Sequence, residues 1–318
     1  MTPLNVSIVM PAYNSEQFIA DAIASVLQQT YPHFELIVIN DGSVDRTGEI
    51  VAAFQSRDKR VKLFTRHNCG PGATMNFGLD QARSEWIFVM HSDDIMLPHR
   101  LERQLHFVQQ HPKLVVASSY VYNIDAYGNI IGVSTSRLLS REAVDQVRES
   151  GELIGFHHPA VVLRKSVVQR LGGYREDLRT NEDIELWNRV ADNGHLVLVQ
   201  PEILLKYRIH AHSASVKHAR LVQLQLRWVK QSANARRNRK SELSWKEFME
   251  NRRRRALWCR IAEEKRDLAK ILYKGAVHSY SKRDYLGLCG RLMVALTLQP
   301  SYVLRQIRSK YIGARVKD

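Results

Sequence analysis

The stretch VSIVMPAYNSEQFIADAIASVLQQTYPHFELIVIND (6–41) decides the fold. Its ends, VSIVMPA (6–12) and FELIVIND (34–41), are short runs rich in Val and Ile, the composition of strands covered on both faces. Between them, SEQFIADAIASVLQQ (15–29) sets Phe18, Ile19, Ala22, Ile23, Val26 and Leu27 on one helical face, and Ser15 is suited to cap it. Strand, helix and strand joined by short connections form the unit that builds a parallel sheet through right-handed crossovers.

Outward from this unit the alternation continues. DRTGEIVAAFQSR (45–57) predicts a helix, VKLFTR (61–66) a strand, residues 71–83 a helix and EWIFVM (85–90) a fourth strand. Beyond residue 97 the pattern is mixed. LPHRLERQLHFVQQH (97–111) is helical, LVVASSYVYNID (114–125) and NIIGVS (129–134) predict a hairpin, and REAVDQVRES (141–150) a helix. AVVLRKSVVQRLGGY (160–174) reads as a strand and then a helix stopped by Gly172 and Gly173, and NEDIELWNRVADNG (181–194) as another helix. HLVLVQ and EILLKYRIH close this part. The fold class is therefore α/β, a mostly parallel sheet flanked by helices.

Composition bounds the rest. Of 318 residues 44% are apolar and 25% charged, with 16 Gly and 9 Pro, as in a packed protein and unlike a repetitive or disordered one. Cys69, Cys259 and Cys289 stand far apart without CxxC spacing, which disfavours a disulfide framework or thiolate zinc site and predicts a reducing, cytoplasmic setting. The first residues lack signal-peptide features, and no run of about 18 apolar residues predicts a spanning helix. The net charge of +15 is uneven. Residues 1–200 hold 19 Lys and Arg against 23 Asp and Glu, whereas residues 201–318 hold 28 against 9. Such an excess attracts phosphate, whether on a bilayer, a substrate or nucleic acid.

Ligands of a parallel sheet bind beyond the carboxyl ends of its strands. Here those ends carry Ala12, Tyr13 and Asn14; Asn40, Asp41, Gly42 and Ser43; Arg66, His67 and Asn68; and His91, Ser92, Asp93 and Asp94. The adjacent carboxylates of Asp93 and Asp94 suit a divalent cation, and equally the positive end of the helix that follows. Asp41 can accept hydrogen bonds from a ribose or a base, although Asp-Gly-Ser is also ordinary turn chemistry. MPAYNSEQF contains no glycine, which disfavours a dinucleotide fingerprint after the first strand. Glu182 and Asp183 open a helix, where they either complement its dipole or provide a general base. His210 and His212 share a face if YRIHAHS is extended, a spacing that sometimes binds zinc.

Taken together, VSIVMPAYN, ELIVINDGSVDRT, the SDD after IFVMH, GFHHPAVVLRKSVVQRLGGY, NEDIELWNRVADNG and YRIHAHSAS resemble the family 2 glycosyltransferases, in family order over residues 5–216. The resemblance implies the GT-A fold over residues 1–214, with a nucleotide-binding half at about 1–97 and an acceptor half at about 98–214, followed by a basic helical region at 215–318. It implies a nucleotide-sugar donor, with a UDP-sugar favoured, bound by Pro11, Ala12, Tyr13, Asp41, Asn76 and Asp93. It also implies that Asp94 holds Mg2+ or Mn2+, that His210 completes the metal shell, and that Asp183 is the base of an inverting transfer. The acceptor would be a hydroxyl of a glycan or lipid-linked molecule in bacterial surface-polysaccharide synthesis, bound by Glu182 and Trp187; a core aromatic is the other reading of Trp187. Two departures stand out. His91 occupies a position where many relatives have a further Asp, and Met75 precedes Asn76 where Arg is common.

Arg252 to Arg255 run around a helix and read as a solvated basic surface, and YLGLCGRLMVALTLQPSYVLRQI (285–307) is amphipathic. That stretch either packs on the catalytic domain or lies in the headgroup plane, with Lys and Arg toward anionic lipid at the inner face of the cell membrane. No recognised nucleic-acid module accompanies the charge, so no specific nucleic-acid partner is expected. The rival reading is an inactive GT-A-like domain whose basic tail serves a nucleic-acid- or membrane-associated binding protein.

Overall fold

Strand periodicity sorts the core into two layers. In β1 (Val6–Ala12), Val6, Ile8, Met10 and Ala12 face one side and Val9 the other; β2 (Phe34–Asp41) divides Leu36 and Val38 from Ile37 and Ile39 in the same way. The first side is covered by α1 (Ile19–Leu27), α2 (Thr47–Arg57) and α4 (Arg100–Gln110). The second is covered by α3 (Pro71–Gln81), α5 (Arg141–Glu149), α6 (Lys165–Arg170) and α7 (Glu182–Asp192). Each fully buried Val, Leu or Ile contributes roughly 1.5–3 kcal/mol, so both faces of the sheet are committed. Gly78 of α3 lies where a Cβ would strike Val9, and the helix sits close on β1 for want of a side chain there.

The computed structural model describes residues 5–210, 213, 217–281 and 284–306. The remaining strands are β3 (Val61–Arg66), β4 (Trp86–Val89), β5 (Ile95–Met96), β6 (Leu114–Ile124), β7 (Ile130–Ser134), β8 (Val162–Arg164) and β9 (Leu196–Arg208). One sheet runs β3-β2-β1-β4-β8-β6-β9-β5, with β7 on β6. Its first four strands are parallel, β6 and β9 are also parallel, and β8, β7 and β5 pair antiparallel. The predicted hairpin is β6–β7.

Three details depart from the sequence reading. The helix predicted from residue 15 begins at Ile19, because Ser15 spends its groups elsewhere: its N–H donates to Thr47 Oγ1 (2.8 Å) and its hydroxyl pairs with Ser92 Oγ (2.7 Å). HLVLVQ and EILLKYR form one strand through Pro201, and the register with β6 shifts beside it. Finally, β5 follows Asp94 directly and pairs with β9, which holds the acidic pair between two anchored strands.

The chain falls into two compact units, Met1–Ser213 with Val229–Ser241, and Ala214–Trp228 with Glu242–Asp318. The basic run ARRNRK (235–240) belongs to the first unit, and two of its arginines are mostly buried there. In α8 (Ala219–Arg237), Arg237 bonds Asp192 (2.9 Å), Asn188 Oδ1 (2.8 Å) and the Glu152 carbonyl (2.9 Å), and Arg236 reaches Glu185 and Asp192. The second unit contains α9 (Trp245–Arg254), α10 (Leu257–Ser281) and α11 (Tyr285–Leu298). Within it Arg227 pairs with Glu263 and Asp267, while Tyr273, Ala295 and Val303 form a small core. No described helix is long and apolar enough to cross a membrane. His212 lies outside the described residues.

Candidate active site

The ends of β1, β2 and β3 lie side by side, Ala12 opposite Asn40 and Asp41 opposite Arg66. Asp41 is buried, and its two oxygens accept the N–H groups of Cys69 (2.9 Å) and Gly70 (3.1 Å), tying the loop after β3 to β2. Gly42 adopts φ +77°, and a Cβ there would stand 2.8 Å from Asn68 N, so the turn requires glycine. Asn14, also left-handed at φ 49°, donates its N–H to Ser43 and accepts that of Val44. This fixes exposed Tyr13 at the rim, above buried Ala12 and partly buried Pro11.

Asn76, expected at the nucleotide, is committed to the scaffold instead. Its Oδ1 accepts the Tyr174 N–H (2.7 Å), and its Nδ2 donates to the Tyr174 carbonyl and Glu176, both at 2.9 Å. Gly173 makes this possible, since a Cβ would come within 2.5 Å of Asn76 Oδ1. Met75 is fully buried in the core, so the departure at that position faces away from any ligand.

After β4 the chain turns back through His91, Asp93 and Asp94, whose candidate ligand atoms all lie within 4.8 Å of one another. Asp94 is 1% exposed. Its Oδ1 accepts the Arg208 N–H (2.7 Å), whereas Oδ2 is buried without a hydrogen-bond partner among the described residues, 4.0 Å from His91 Nδ1. Burial, then the Asp93 charge, pushes Asp94 well above the usual carboxylate range, and Arg208 and Arg100 only partly oppose this. For Asp93 burial also acts upward, but the His210 hydrogen bond (3.0 Å) and the charges of His91 and His210 together hold it below the usual range. Two carboxylates and an imidazole around an orphaned oxygen fit a divalent cation. His210 reaches this group through Asp93.

Two arginines brace the cluster. Arg208 donates from Nε to the Asp93 carbonyl (2.7 Å) and stacks 4.6 Å from the Phe18 ring centroid. Arg100, fully buried, bonds the carbonyls of Val89 and Val161; burial brings it down to about 9, Asp94 pulls the other way, and it remains charged at neutral pH.

Beyond the cluster, His91 Nε2 lies 3.1 Å from His158 Nδ1, and His158 Nε2 lies 2.9 Å from the Tyr174 hydroxyl. Burial, aided by the charges of Asp183 and Glu182, raises the Tyr174 phenol well above its ordinary value. This chain of rings therefore leads to the pair that opens α7. That helix is preceded at its N-cap by Asn181, held left-handed at φ 59°, a conformation Asn tolerates better than most residues. Burial and the neighbouring Asp183 push Glu182 up to about 8, and burial pushes Asp183 up to about 6. Near neutral pH the pair divides into an ionised Asp183, able to take a proton, and a neutral Glu182. Trp187, expected against the acceptor, is fully buried and stacked 5.3 Å from Phe156. It is a core residue, placed there because it falls on the apolar face of α7 with Leu186 and Val190.

The sequence profile of Glycosyl transferase family 2 matches residues 7–172, more than half of the chain. The chain belongs to glycosyl transferase family 2. Among relatives of this family, an uncharacterized glycosyltransferase of Methanocaldococcus jannaschii is 31% identical over 208 residues, covering 64% of this chain and 70% of that protein. Residues 1–349 of S. aureus TarS, solved in complex with UDP-GlcNAc, superimpose with a TM-score of 0.57 at 19% identity, over 95% of this chain and 92% of that one. The mannosyltransferase PcManGT of Pyrobaculum calidifontis, solved with GDP-Man and Mn2+, gives 0.58 at 16% identity, over 94% and 89%. The fold is GT-A. Sequence reading missed His158, Tyr174, Arg100 and Arg208. The first two sit inside the quoted family block, and the signal overlooked was a pair of histidines entering a buried strand.

Proposed function

We propose that this family 2 member is an inverting glycosyltransferase that moves a sugar from a nucleoside-diphosphate donor, a UDP-sugar in first place, to a hydroxyl of a glycan or lipid-linked acceptor. The observation that carries this reading is the pairing, through the rings of His91, His158 and Tyr174, of an acidic cluster with an orphaned buried oxygen and a carboxyl pair split between about 6 and about 8. Complexes of structural neighbours with UDP-GlcNAc and with GDP-Man and Mn2+ support the donor class.

Asp93 and Asp94 would hold a divalent cation, with His91 and His210 beside them. When bound, such an ion supplies positive charge to the oxygens of the departing diphosphate. Ala12, Tyr13 and Asp41 would receive the nucleoside. Asp183 accepts the proton of the acceptor hydroxyl as its oxygen bonds to the anomeric carbon. The bond to the diphosphate breaks on the opposite face, the nucleoside diphosphate leaves, and configuration inverts. Glu182, protonated, donates a hydrogen bond to the acceptor. The test is donor-dependent release of nucleoside diphosphate, lost with EDTA and restored by Mn2+, with NMR of the anomeric proton in the product. Release that EDTA leaves unchanged, or retained configuration, contradicts the mechanism.

The second unit supports an anionic membrane surface as partner. It carries 21 Lys and Arg against 8 Asp and Glu. It also leaves Leu257 and Trp258 of α10 and Leu286 and Met293 of α11 largely exposed. Like charge opposes self-association through these faces, whereas anionic headgroups complement them. The full chain should sediment with phosphatidylglycerol vesicles and not with phosphatidylcholine vesicles at low salt; equal recovery in both supernatants rejects this partner.

A further inference from the structure

His91 presents two nitrogens with different surroundings. Nε2 faces His158 Nδ1 at hydrogen-bond distance, while Nδ1 faces the orphaned Asp94 Oδ2 at 4.0 Å, too far for a hydrogen bond. Two metal–ligand bonds of about 2.1 Å each span close to that separation. Asp94 Oδ2 is thus a buried acceptor aimed at a gap that the imidazole borders from the other side.

Which nitrogen of His91 carries the proton follows from donor accounting along the chain of rings. A neutral imidazole has one donor and one acceptor. If the Tyr174 hydroxyl accepts from His158 Nε2–H, then His158 Nδ1 accepts from His91 Nε2–H, and His91 Nδ1 offers its lone pair to the gap. If Tyr174 donates instead, every ring flips and His91 Nδ1 carries hydrogen. The negative charge of Asp183 acts on the Tyr174 phenol and turns its hydroxyl hydrogen away from His158, so that the hydroxyl oxygen accepts from His158 Nε2–H. Both ends of the chain are rigid. Asn76 clamps the Tyr174 backbone, and His158 opens a short 3₁₀ turn (His158–Ala160) whose Ala160 carbonyl accepts from Gln104 (2.9 Å), with the next carbonyl, Val161, accepting from Arg100 (3.1 Å).

We propose that His91 Nδ1 is a direct ligand of the divalent cation, and that His158 and Tyr174 are positioning residues that fix the tautomer in which it can bind. The inference rests on the metal-dependent reading above and departs from an all-carboxylate site. An imidazole in the ligand set favours Mn2+ over the harder Mg2+. It also makes the hydroxyl of Tyr174, two residues removed from the ion, part of the metal's affinity.

The experiment uses the full chain and Mn2+ alone. Continuous-wave EPR of free Mn2+ gives the affinity, and pulsed EPR of bound Mn2+ reports whether an imidazole nitrogen is coordinated. The native chain should show the nitrogen coupling, and His91→Asp should bind Mn2+ without it. Tyr174→Phe should weaken binding about 10-fold and His158→Phe about 10- to 100-fold. His158→Gln, whose amide keeps a donor and an acceptor, should recover part of that loss, which a merely space-filling role would not predict. Bound Mn2+ lacking nitrogen coupling in the native chain overturns the inference and leaves the proposed reaction standing, whereas no Mn2+ binding at all sinks both. Unchanged affinity in Tyr174→Phe overturns the positioning role, and it decides the matter even if His158→Phe does not fold.

Discussion

Asp93-Asp94 and Glu182-Asp183 are the same kind of object in the sequence, two adjacent acids at an element boundary, and each admits the same dull reading as a helix-dipole partner. Their neighbours make them different. Asp94 has Asp93 and His91 around an oxygen that finds no hydrogen-bond partner among the described residues, and the main-chain N–H of Arg208 pins its other oxygen. Glu182 and Asp183 have no cationic side chain among the causes of their raised values; burial dominates both. In the proposed reaction the first pair takes a metal charge and the second a proton. What assigns chemistry to an acidic pair is the group that neutralises it, and that group comes from elsewhere in the chain.

The sharpest way to break this comparison is to remove one charge from each pair. Asp183→Asn should lower turnover about 10²- to 10⁴-fold, the usual cost of a missing general base, with Mn2+ affinity unchanged. Asp94→Asn should abolish tight Mn2+ binding and lower turnover about 10²- to 10³-fold, the loss expected for one electrostatic stabiliser. Steady-state kinetics beside an Mn2+ titration reads both. If Asp183→Asn weakened the ion as much as Asp94→Asn does, the two pairs would be one site and the division of labour wrong.

How much of this was legible in advance follows the same line. The strands of the parallel half were readable because burial on both faces leaves Val- and Ile-rich runs, and β1, β2 and β3 have the predicted bounds. The acidic pairs were visible as residue types. Their partners were not, because Arg208 reaches Asp93 across 115 residues of sequence and His158 reaches His91 across 67, and pairings of that range leave no periodicity. Trp187 and Asn76 misled for a related reason. An aromatic one turn from the base looks like a ligand contact until the helix face is known, and an amide in a family position looks free until its hydrogen bonds are counted. Arg236 and Arg237 stand in the basic run ARRNRK, yet their side chains are mostly covered, bonded to acids of α7.

That basic strap packs on α7, the helix that only one of the two pairs opens, which sharpens the comparison. Arg237 holds Asp192 at the far end of α7 and Asn188 in its middle, and Asn188 in turn holds both backbone groups of Ile154. Arg237→Ala leaves the buried Asn188 oxygen and Asp192 each short of a donor, although Arg148 and Arg236 still serve Asp192. The expected cost is about 1–3 kcal/mol of stability, read by denaturant unfolding, with lowered turnover and unaltered Mn2+ affinity. A loss confined to Mn2+ binding would contradict the placement of the strap.

The smallest effect tests the proton side directly. Glu182 is raised from 4.5 to about 8, so the folded protein keeps a proton that the unfolded chain releases at lower pH. Unfolding therefore frees a proton between those values, and stability present below about pH 4.5 is lost as pH rises toward 8. Glu182→Gln cannot ionise in either state and escapes that loss. The variant should melt slightly above the native chain at about pH 5 and by a clearly larger margin at about pH 8.5, and the growth of that margin with pH is what is read. A difference that is the same at both pH values would mean that Glu182 is ionised in the fold. Burial would then not be what sets its charge, and the contrast with the metal-seeking pair would lose its physical basis.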